Sequence, residues 1–253
     1  MITKDIAYGA HPDQKLDLYY AGEDAPLFVF FHGGGLEAGS KGDGNLREYE
    51  ELMADGISAA VANYRMYPAA KFPDFLEDAA RCAAWCKKSV KHSGLYIGGS
   101  SAGGYMTQML AMAPKYLGAH GLNCADKADI AGYFCDSGQP TVHFNVLRER
   151  GEDTRLVRLD EAAPIWHVKQ VTDAQRLPRY ALIVSDNDMV NRLEQNQLFY
   201  RTMLHFGYPE EKVSFTLMEG FSHTGYCGVF REDGTSLYAQ MIRRFIRGEL
   251  PLA

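Results

Sequence analysis

The chain has 253 residues, of which 46% are hydrophobic and 23% charged, so it is long enough for one large α/β core or two small domains. It carries 26 basic and 32 acidic residues, a net charge of −6, without a block of like charge. We therefore expect no nucleic-acid partner.

The first twenty residues lack the features of a signal peptide, and no apolar run approaches the ~20 residues of a membrane span. These features predict a cytoplasmic protein that makes no membrane contact.

No linker, internal repeat or low-complexity tract divides the sequence, which predicts a single domain over residues 1–253. The five cysteines are an odd number and do not indicate a disulfide framework. Cys82 and Cys86 lie four residues apart in a segment with helical spacing, so we interpret them as buried small side chains rather than metal ligands. We predict no metal and no cofactor.

Strand and helix patterns alternate along the chain. Short apolar runs predict strands at residues 25–31, 56–65, 94–99, 128–138, 178–188 and 212–220. Helical spacing predicts helices at residues 72–90, 105–117, 191–207 and 235–248. This alternation predicts an α/β fold whose parallel sheet is covered on both faces. Active sites of such sheets lie at the carboxyl ends of the strands.

The segment "YIGGSSAGG", residues 96–104, places two serines among four glycines, between a predicted strand and a predicted helix. A serine in the pattern G-x-S-x-G at such a junction is typical of a nucleophile elbow, in which a sharp turn exposes the hydroxyl above the sheet. Ser101 has glycine two residues away on both sides, whereas Ser100 has Gly98 and Ala102. Ser101 is therefore the candidate nucleophile.

A serine hydroxyl needs a base, and the base needs an orienting group. His223 follows the last predicted strand in the Gly-flanked loop "EGFSHTG" and is the candidate base. Asp186 and Asp188 follow the preceding strand in "ALIVSDNDMV", and Asp136 follows the strand before that one. Each aspartate could instead cap a helix N-terminus, and we prefer that interpretation for Asp186.

The segment "HGGG", residues 32–35, follows the first predicted strand. Glycines without side chains allow backbone N–H groups to point at the oxyanion of a tetrahedral intermediate. We expect Gly34 and Gly35 to donate from this loop and Ala102, the residue after the candidate nucleophile, to donate from the elbow. We interpret His32 as a residue that holds the loop.

With these motifs, the sequence resembles the α/β-hydrolase esterases that carry an HGGG loop and a GxSAGG elbow. It is similar to the acetylesterase and carbohydrate-esterase-like branch related to the hormone-sensitive lipase group. The resemblance runs from "LDLYY" to the last helix and includes "NYRMYP", "EAAPIWHV" and "SDNDMV". It implies an α/β-hydrolase fold with an eight-stranded, mostly parallel sheet.

The resemblance also assigns Ser101, Asp188 and His223 as a catalytic triad. The family pattern spaces its carboxylate three residues after a small turn residue, here Ser185, which favours Asp188. The sequence departs from the pattern at two positions. Many relatives carry aspartate, histidine or glutamine where Ser100 stands, and an aromatic residue often stands in place of Leu36.

Residues 139–175 do not form one clear element and are rich in charge. Because they lie between strands at the expected active-site edge, we predict a small lid that shapes the substrate pocket. Phe144 and Trp166 in this segment are expected to serve packing rather than substrate contact. A charged lid is poorly suited to a long hydrocarbon chain, so we expect acetyl to butyryl esters as substrates.

The resulting hypothesis is a serine esterase that forms an acyl-enzyme on Ser101, acts on small-molecule esters and needs no cofactor. A polar alcohol such as an acylated sugar is one candidate substrate. An arylformamidase or a small peptidase would use the same machinery, and a non-catalytic α/β-hydrolase-fold binding protein is the alternative of another class. The sequence predicts no particular oligomeric state.

Overall fold

The computed structural model describes residues 1–43, 46–172 and 175–253. Eight strands form one sheet in the order β1-β2-β4-β3-β5-β6-β7-β8. Their bounds are β1 Ile2–Ala7, β2 Lys15–Tyr19, β3 Leu27–Phe31, β4 Ser58–Ala62, β5 Leu95–Ser100, β6 Gly132–Asp136, β7 Arg179–Asn187 and β8 Val213–Ser222.

In these described ranges there are seven α-helices. Their bounds are α1 Arg47–Ala54, α2 Asp74–Ser89, α3 Ala102–Met112, α4 Pro114–Gly118, α5 Phe144–Glu149, α6 Arg192–His205 and α7 Leu237–Arg247. Three short 3₁₀ helices cover Pro164–Gln170, Glu210–Lys212 and Gly225–Gly228.

Strands β3 to β8 are mutually parallel, and β2 runs antiparallel to both of its neighbours, β1 and β4. The expected eight-stranded, mostly parallel sheet is therefore confirmed, and the six strands predicted from apolar runs are β3 to β8. The sequence patterns did not predict β1, β2 or α1. Strand β1 lies at the edge of the sheet and is almost entirely exposed, so it has no apolar pattern to detect.

The sheet has an apolar core on each face. Helices α2, α3 and α6 contribute to one core, with Met106 and Phe199 among its buried residues. Helices α1 and α7 contribute to the other, which includes Tyr49 and Ile242. Because both faces are covered, a strand such as β3 is buried at every position and reads as a continuous apolar run.

One predicted helix is two helices in the structure. The predicted helix at residues 105–117 begins earlier, at Ala102, and α3 ends at Met112. Pro114 disfavours the α conformation at the residue before it, and Ala113 is extended, with φ −105° and ψ 94°. Helix α4 then begins at Pro114, where the missing N–H of proline costs nothing.

The cysteines occupy positions that agree with the interpretation of the sequence. All five are free thiols, and Cys82 and Cys86 are fully buried on α2. They pack as small apolar side chains in the core beside α3. Across the described ranges, none of the helices combines the length and the apolar character that crossing a membrane would require.

Helix α3 packs against the sheet through glycine backbone, which yields a stability prediction. A Cβ atom built on Gly103 would lie 1.9 Å from the carbonyl oxygen of Phe31, and backbone on both sides leaves nothing flexible to move. Gly103→Ala should therefore lower the free energy of unfolding by ~3 kcal/mol or more.

Gly118→Ala is the matched control, since a Cβ atom on Gly118 meets nothing within 4 Å and alanine favours the helix by up to ~1 kcal/mol. Urea unfolding of both variants is the measurement. Equal stabilities of the two variants would contradict the close contact of α3 with β3.

Candidate active site

Four strands end at the same edge of the sheet, and each is followed directly by a candidate residue. Strands β3, β5, β7 and β8 end one residue before His32, Ser101, Asp188 and His223, respectively. The expectation that these residues converge at the carboxyl ends of parallel strands is therefore confirmed.

Ser101 sits in a sharp turn between β5 and α3. Its backbone has φ 55° and ψ −112°, a positive φ that a non-glycine residue rarely adopts. The turn is possible because Gly99 and Gly103 touch: a Cβ atom on Gly99 would lie 2.4 Å from the Gly103 carbonyl. The Ser101 N–H donates to the backbone oxygen of Asp136 at 2.8 Å, which anchors the turn to β6.

A chain of hydrogen bonds joins Ser101 to Asp188 through His223. The Ser101 Oγ lies 2.8 Å from His223 Nε2, and His223 Nδ1 lies 2.6 Å from Asp188 Oδ1. Because the carboxylate accepts a hydrogen bond, Nδ1 carries the proton and Nε2 is free to accept from the serine hydroxyl. Of the two neighbouring serines, Ser101 is the one that contacts the imidazole.

The carboxylate of Asp188 is held firmly by further donors. Its Oδ2 accepts from the Ser137 hydroxyl at 2.8 Å, and its Oδ1 accepts from the Met189 N–H at 2.6 Å. Burial raises the pKa of Asp188, but the hydrogen bond and charge of His223, with these two donors, outweigh burial and lower its pKa below the usual range. The carboxylate is thus anionic at neutral pH, as an orienting group for an imidazole must be.

The alternative acids have other roles. Asp136 is fully buried and accepts from the hydroxyls of Tyr226 and Tyr238, the latter at 3.0 Å. Asp186 accepts from the Gly220 N–H through both oxygens, at 2.9 and 3.0 Å. The interpretation of Asp186 as a helix cap is wrong, because Asn191 precedes α6 and the register of β7 and β8 brings Gly220 opposite the carboxylate instead.

The glycine loop after β3 lies directly beside the nucleophile. Gly34 and Gly35 both have positive φ, 105° and 67°, and a Cβ atom on Gly33 would lie 3.2 Å from the Ser101 Cβ. The Gly35 carbonyl accepts a hydrogen bond from the Asn145 side chain, which ties the loop to α5. Ala102 is the first residue of α3, so its N–H has no partner within the helix.

His32 holds this loop, in agreement with the sequence analysis. Its Nδ1 lies 2.7 Å from the Gly33 carbonyl oxygen, and its ring stacks on Tyr64 with ring centroids 4.5 Å apart. The Tyr64 hydroxyl donates to the His32 carbonyl at 2.8 Å. Burial lowers the pKa of His32, so its ring is neutral at neutral pH.

A cavity of about 340 Å³ opens beside Ser101 and His223. Its lining includes Glu48 on α1, Cys227 and Tyr238. Burial raises the pKa of Glu48 to about 8, and the nearby acids Glu51 and Asp136 add to the shift. Glu48 is not identifiable from the sequence, because nothing in its local sequence indicates that α1 borders this cavity.

Residues 139–172 include α5, which lies beside the glycine loop through the hydrogen bond from the Asn145 side chain to the Gly35 carbonyl. Ion pairs form within this segment: Arg158 lies 2.7 Å from Glu152, and Arg150 lies 2.7 Å from Asp160. Trp166 is 59% exposed, so the expectation that it serves packing is wrong. Residues 173 and 174 of the predicted lid lie outside the described residues.

Phe144 begins α5 and faces the glycine loop. A Cβ atom on Gly35 would lie 3.3 Å from the Phe144 ring, and the ring also lines a second cavity of about 570 Å³. That cavity is bordered by Leu156 from residues 139–172 and by Met189 and Val190 after Asp188.

In the part of the chain that the structure describes, no group of three His, Cys, Asp or Glu residues could hold a metal ion.

Comparison with known proteins finds hydrolases among the relatives. The chain is 30% identical over 250 residues to a probable isoprenylcysteine alpha-carbonyl methylesterase of Oryza sativa subsp. japonica, covering 88% of this chain and 57% of the relative. This chain thus spans little more than half the length of that relative. It is 25% identical over 254 residues to the kynurenine formamidase of Danio rerio, covering 96% of this chain and 81% of the relative.

Among solved structures, an esterase of Thermogutta terrifontis with bound propionate superposes with a TM-score of 0.73 at 20% sequence identity, covering 98% of this chain and 96% of that one. This similarity extends the fold over almost the whole chain. The sequence pattern of the family described as alpha/beta hydrolase fold matches residues 28–224, which include every candidate site residue. The chain belongs to the α/β-hydrolase fold family.

Proposed function

We propose that the protein is a carboxylic ester hydrolase that uses Ser101 as nucleophile, His223 as general base and Asp188 as the orienting carboxylate. The continuous hydrogen-bond chain from Asp188 Oδ1 through His223 to Ser101 Oγ, with distances of 2.6 and 2.8 Å, carries the proposal. A serine activated in this way can attack a carbonyl carbon.

In the first half of the reaction, Ser101 Oγ attacks the ester carbonyl while His223 Nε2 takes its proton. The carbonyl oxygen becomes an oxyanion, which the N–H groups of Gly34, Gly35 and Ala102 stabilise. The intermediate then collapses: the bond to the alcohol oxygen breaks, and the imidazolium returns its proton to that oxygen. The alcohol leaves, and the acyl group remains on Ser101.

In the second half, water attacks the acyl-enzyme carbonyl and His223 Nε2 accepts the proton of the water. A second oxyanion forms, stabilised by the same N–H donors. It then collapses, and the proton passes from the imidazolium to Ser101 Oγ. The carboxylic acid is released and the serine is restored. Asp188 stays ionised throughout, and its lowered pKa favours the imidazolium in both transition states.

We propose a preference for short acyl chains. The cavity beside Ser101 has a volume of about 340 Å³ and contains Glu48, Ser100 and Thr224 among its lining residues. Polar groups at these positions would be left without water by a long hydrocarbon chain, which is unfavourable. An alcohol with its own polar groups, such as an acylated sugar, is compatible with such a surface.

We propose that residues 139–175 form a lid at the active-site edge of the single domain. Phe144 contacts the glycine loop, and Leu156 lines the second cavity together with Met189 and Val190. Leu156 and Val190 are 49% and 90% exposed, so apolar surface is available to a substrate at this edge. The lid would then contribute one wall of the site rather than close it.

Formamide hydrolysis is the second candidate function. The kynurenine formamidase relative covers nearly the whole chain, and the proposed triad would cleave a formamide by the same steps with an amine as leaving group. A panel of ester, formamide and peptide substrates at neutral pH distinguishes these reactions. A non-catalytic binding protein would hydrolyse none of them.

Labelling tests the nucleophile. A fluorophosphonate should form one adduct, on Ser101, because within the described ranges this is the hydroxyl hydrogen-bonded to His223. Ser101→Ala should abolish labelling and reduce hydrolysis of p-nitrophenyl acetate to background, whereas Ser100→Ala should still be labelled. Mass spectrometry of the digested protein locates the adduct, and an adduct on Ser100 would overturn the proposal.

Two matched aspartate variants test the orienting group. Asp188→Asn should lower kcat by up to ~10⁴ through loss of the required imidazole tautomer. Asp186→Asn makes the same chemical change two residues away, where the asparagine oxygen can still accept from Gly220. It should change kcat by less than about twofold. Steady-state kinetics of both variants decide, and the reverse ranking would contradict the role of Asp188.

Acyl-chain preference is measured with p-nitrophenyl esters of two to twelve carbons, below their critical micelle concentrations. We expect the highest kcat/KM between two and four carbons. An extended apolar pocket would instead gain ~0.8 kcal/mol for each buried methylene. An optimum at eight carbons or more would contradict the short-chain preference and indicate a lipase.

A further inference from the structure

We infer that the cavity beside Ser101, here called the Glu48 cavity, binds an ammonium group of the substrate, with Glu48 as its counter-ion. The Glu48 cavity is lined by Phe30, Tyr49, Tyr238, Glu48, Ser101 and His223, among others. This inference rests on the proposed function, since it assigns a substrate class to the same site.

The position of Glu48 is the first argument. Its side chain is only 5% exposed, yet it lines a cavity that also borders Ser101 and His223. Its Oε1 accepts from the Ser236 hydroxyl at 3.2 Å. Among the described residues, no lysine or arginine forms an ion pair with the Glu48 carboxyl group. A buried carboxyl without a cationic partner is costly unless it stays protonated or meets a cation.

The remaining lining of the Glu48 cavity favours a positive charge. Asp43, an exposed acidic residue, also lines the cavity. No lysine or arginine is among the lining residues that the structure describes. His32 lines it as well, and its Nε2 has no hydrogen-bond partner within the described ranges. The neutral imidazole therefore adds no positive charge to this region.

Three aromatic rings form a continuous wall of the Glu48 cavity. The Phe30 ring centroid lies 5.8 Å from that of Tyr49 and 6.3 Å from that of Tyr238. All three side chains are buried, so their positions are set by packing. Aromatic faces attract cations, most strongly where water is excluded. Rings combined with a carboxylate are the surroundings that an alkylammonium group requires.

Asp136 strengthens the negative character of this region from behind. It is fully buried and is held by the hydroxyls of Tyr226 and Tyr238 and by the Cys227 thiol at 3.5 Å. Its proximity is one cause of the raised pKa of Glu48. A cation in the Glu48 cavity would relieve the repulsion between these two acids, whereas an anionic substrate group would add to it.

The test uses two isosteric alcohols, choline and 3,3-dimethylbutan-1-ol, which differ in a positive charge. Both are measured as competitive inhibitors of p-nitrophenyl acetate hydrolysis, and the readout is the ratio of their inhibition constants. Wild type should prefer choline. Glu48→Gln should reduce this preference by on the order of tenfold, because a charged partner is lost from a buried site.

Glu50→Gln is the matched control. Glu50 lies on α1 two residues from Glu48 but is exposed and does not line the cavity. The substitution removes the same charge and should leave the inhibition ratio unchanged. Equal inhibition by the two alcohols in wild type, or an equal loss of preference in both variants, would overturn the inference.

A pH series supplies a second readout. The charge of choline does not titrate, so its inhibition should strengthen up to about tenfold from pH 7 to pH 8.5, as the Glu48 carboxyl with its pKa of about 8 ionises. Glu51, Asp136 and His223 also face this region, but they remain in Glu48→Gln. The wild-type increase that is absent from Glu48→Gln therefore belongs to Glu48, and identical pH profiles would contradict its role.

The outcomes separate this inference from the proposed function. Hydrolysis of p-nitrophenyl acetate and labelling of Ser101, combined with no choline preference, would refute the ammonium site alone. Absence of hydrolysis and of labelling would refute the proposed function. In that case, saturation-transfer NMR of choline and 3,3-dimethylbutan-1-ol with wild type and Glu48→Gln still tests the ammonium site directly.

Discussion

Helix α3 lies so close to the sheet that its second and third residues, Gly103 and Gly104, have room only for glycine, and the arrangement of the active-site edge depends on this contact. A Cβ atom on Gly103 would lie 1.9 Å from the Phe31 oxygen, and one on Gly104 would lie 2.4 Å from the Asp136 oxygen. The close approach forces the strand-to-helix turn to be sharp, so Ser101 takes a positive φ of 55°. The same contact holds Gly103 against the backbone of Phe31 and His32, where the glycine loop begins. The serine and its proposed oxyanion donors are therefore positioned by backbone packing, before any side chain is placed.

Three carboxyl groups near Ser101 differ in the direction in which their surroundings shift the pKa. Asp188 is stabilised as an anion by His223, Ser137 and the Met189 N–H, and its pKa is lowered. Burial raises the pKa of Asp136 even though two tyrosine hydroxyls donate to it, and it raises that of Glu48 to about 8. Asp188 thus remains negatively charged beside the His223 imidazole. The other two leave a region beside the nucleophile that can take up positive charge, as the proposed ammonium site requires.

The sequence predicted the parts of the site that depend on local backbone conformation. The glycine spacing distinguished Ser101 from Ser100, and the glycine run after β3 indicated a loop that could donate N–H groups. It did not predict features that depend on which segments meet in space. Asp186 was interpreted as a helix cap, yet it binds the Gly220 N–H of the adjacent strand. Trp166 was expected to pack, yet it is largely exposed, because the burial of an aromatic side chain depends on its neighbours in the fold.

The sequence by itself determined the parallel sheet, the sharp turn at Ser101 and the order of the candidate residues along the chain. Continuous apolar runs and glycine spacing express local requirements, namely burial of a strand on both faces and a turn without side chains. The tertiary structure brings Asp188, which the family resemblance favours, into contact with His223. Only the tertiary structure decided that Glu48 from α1 lines the cavity beside Ser101. Glu48 and His223, which line the same cavity, lie 175 positions apart in the sequence. Strand register and helix packing set their distances, and neither is encoded in any local stretch of sequence.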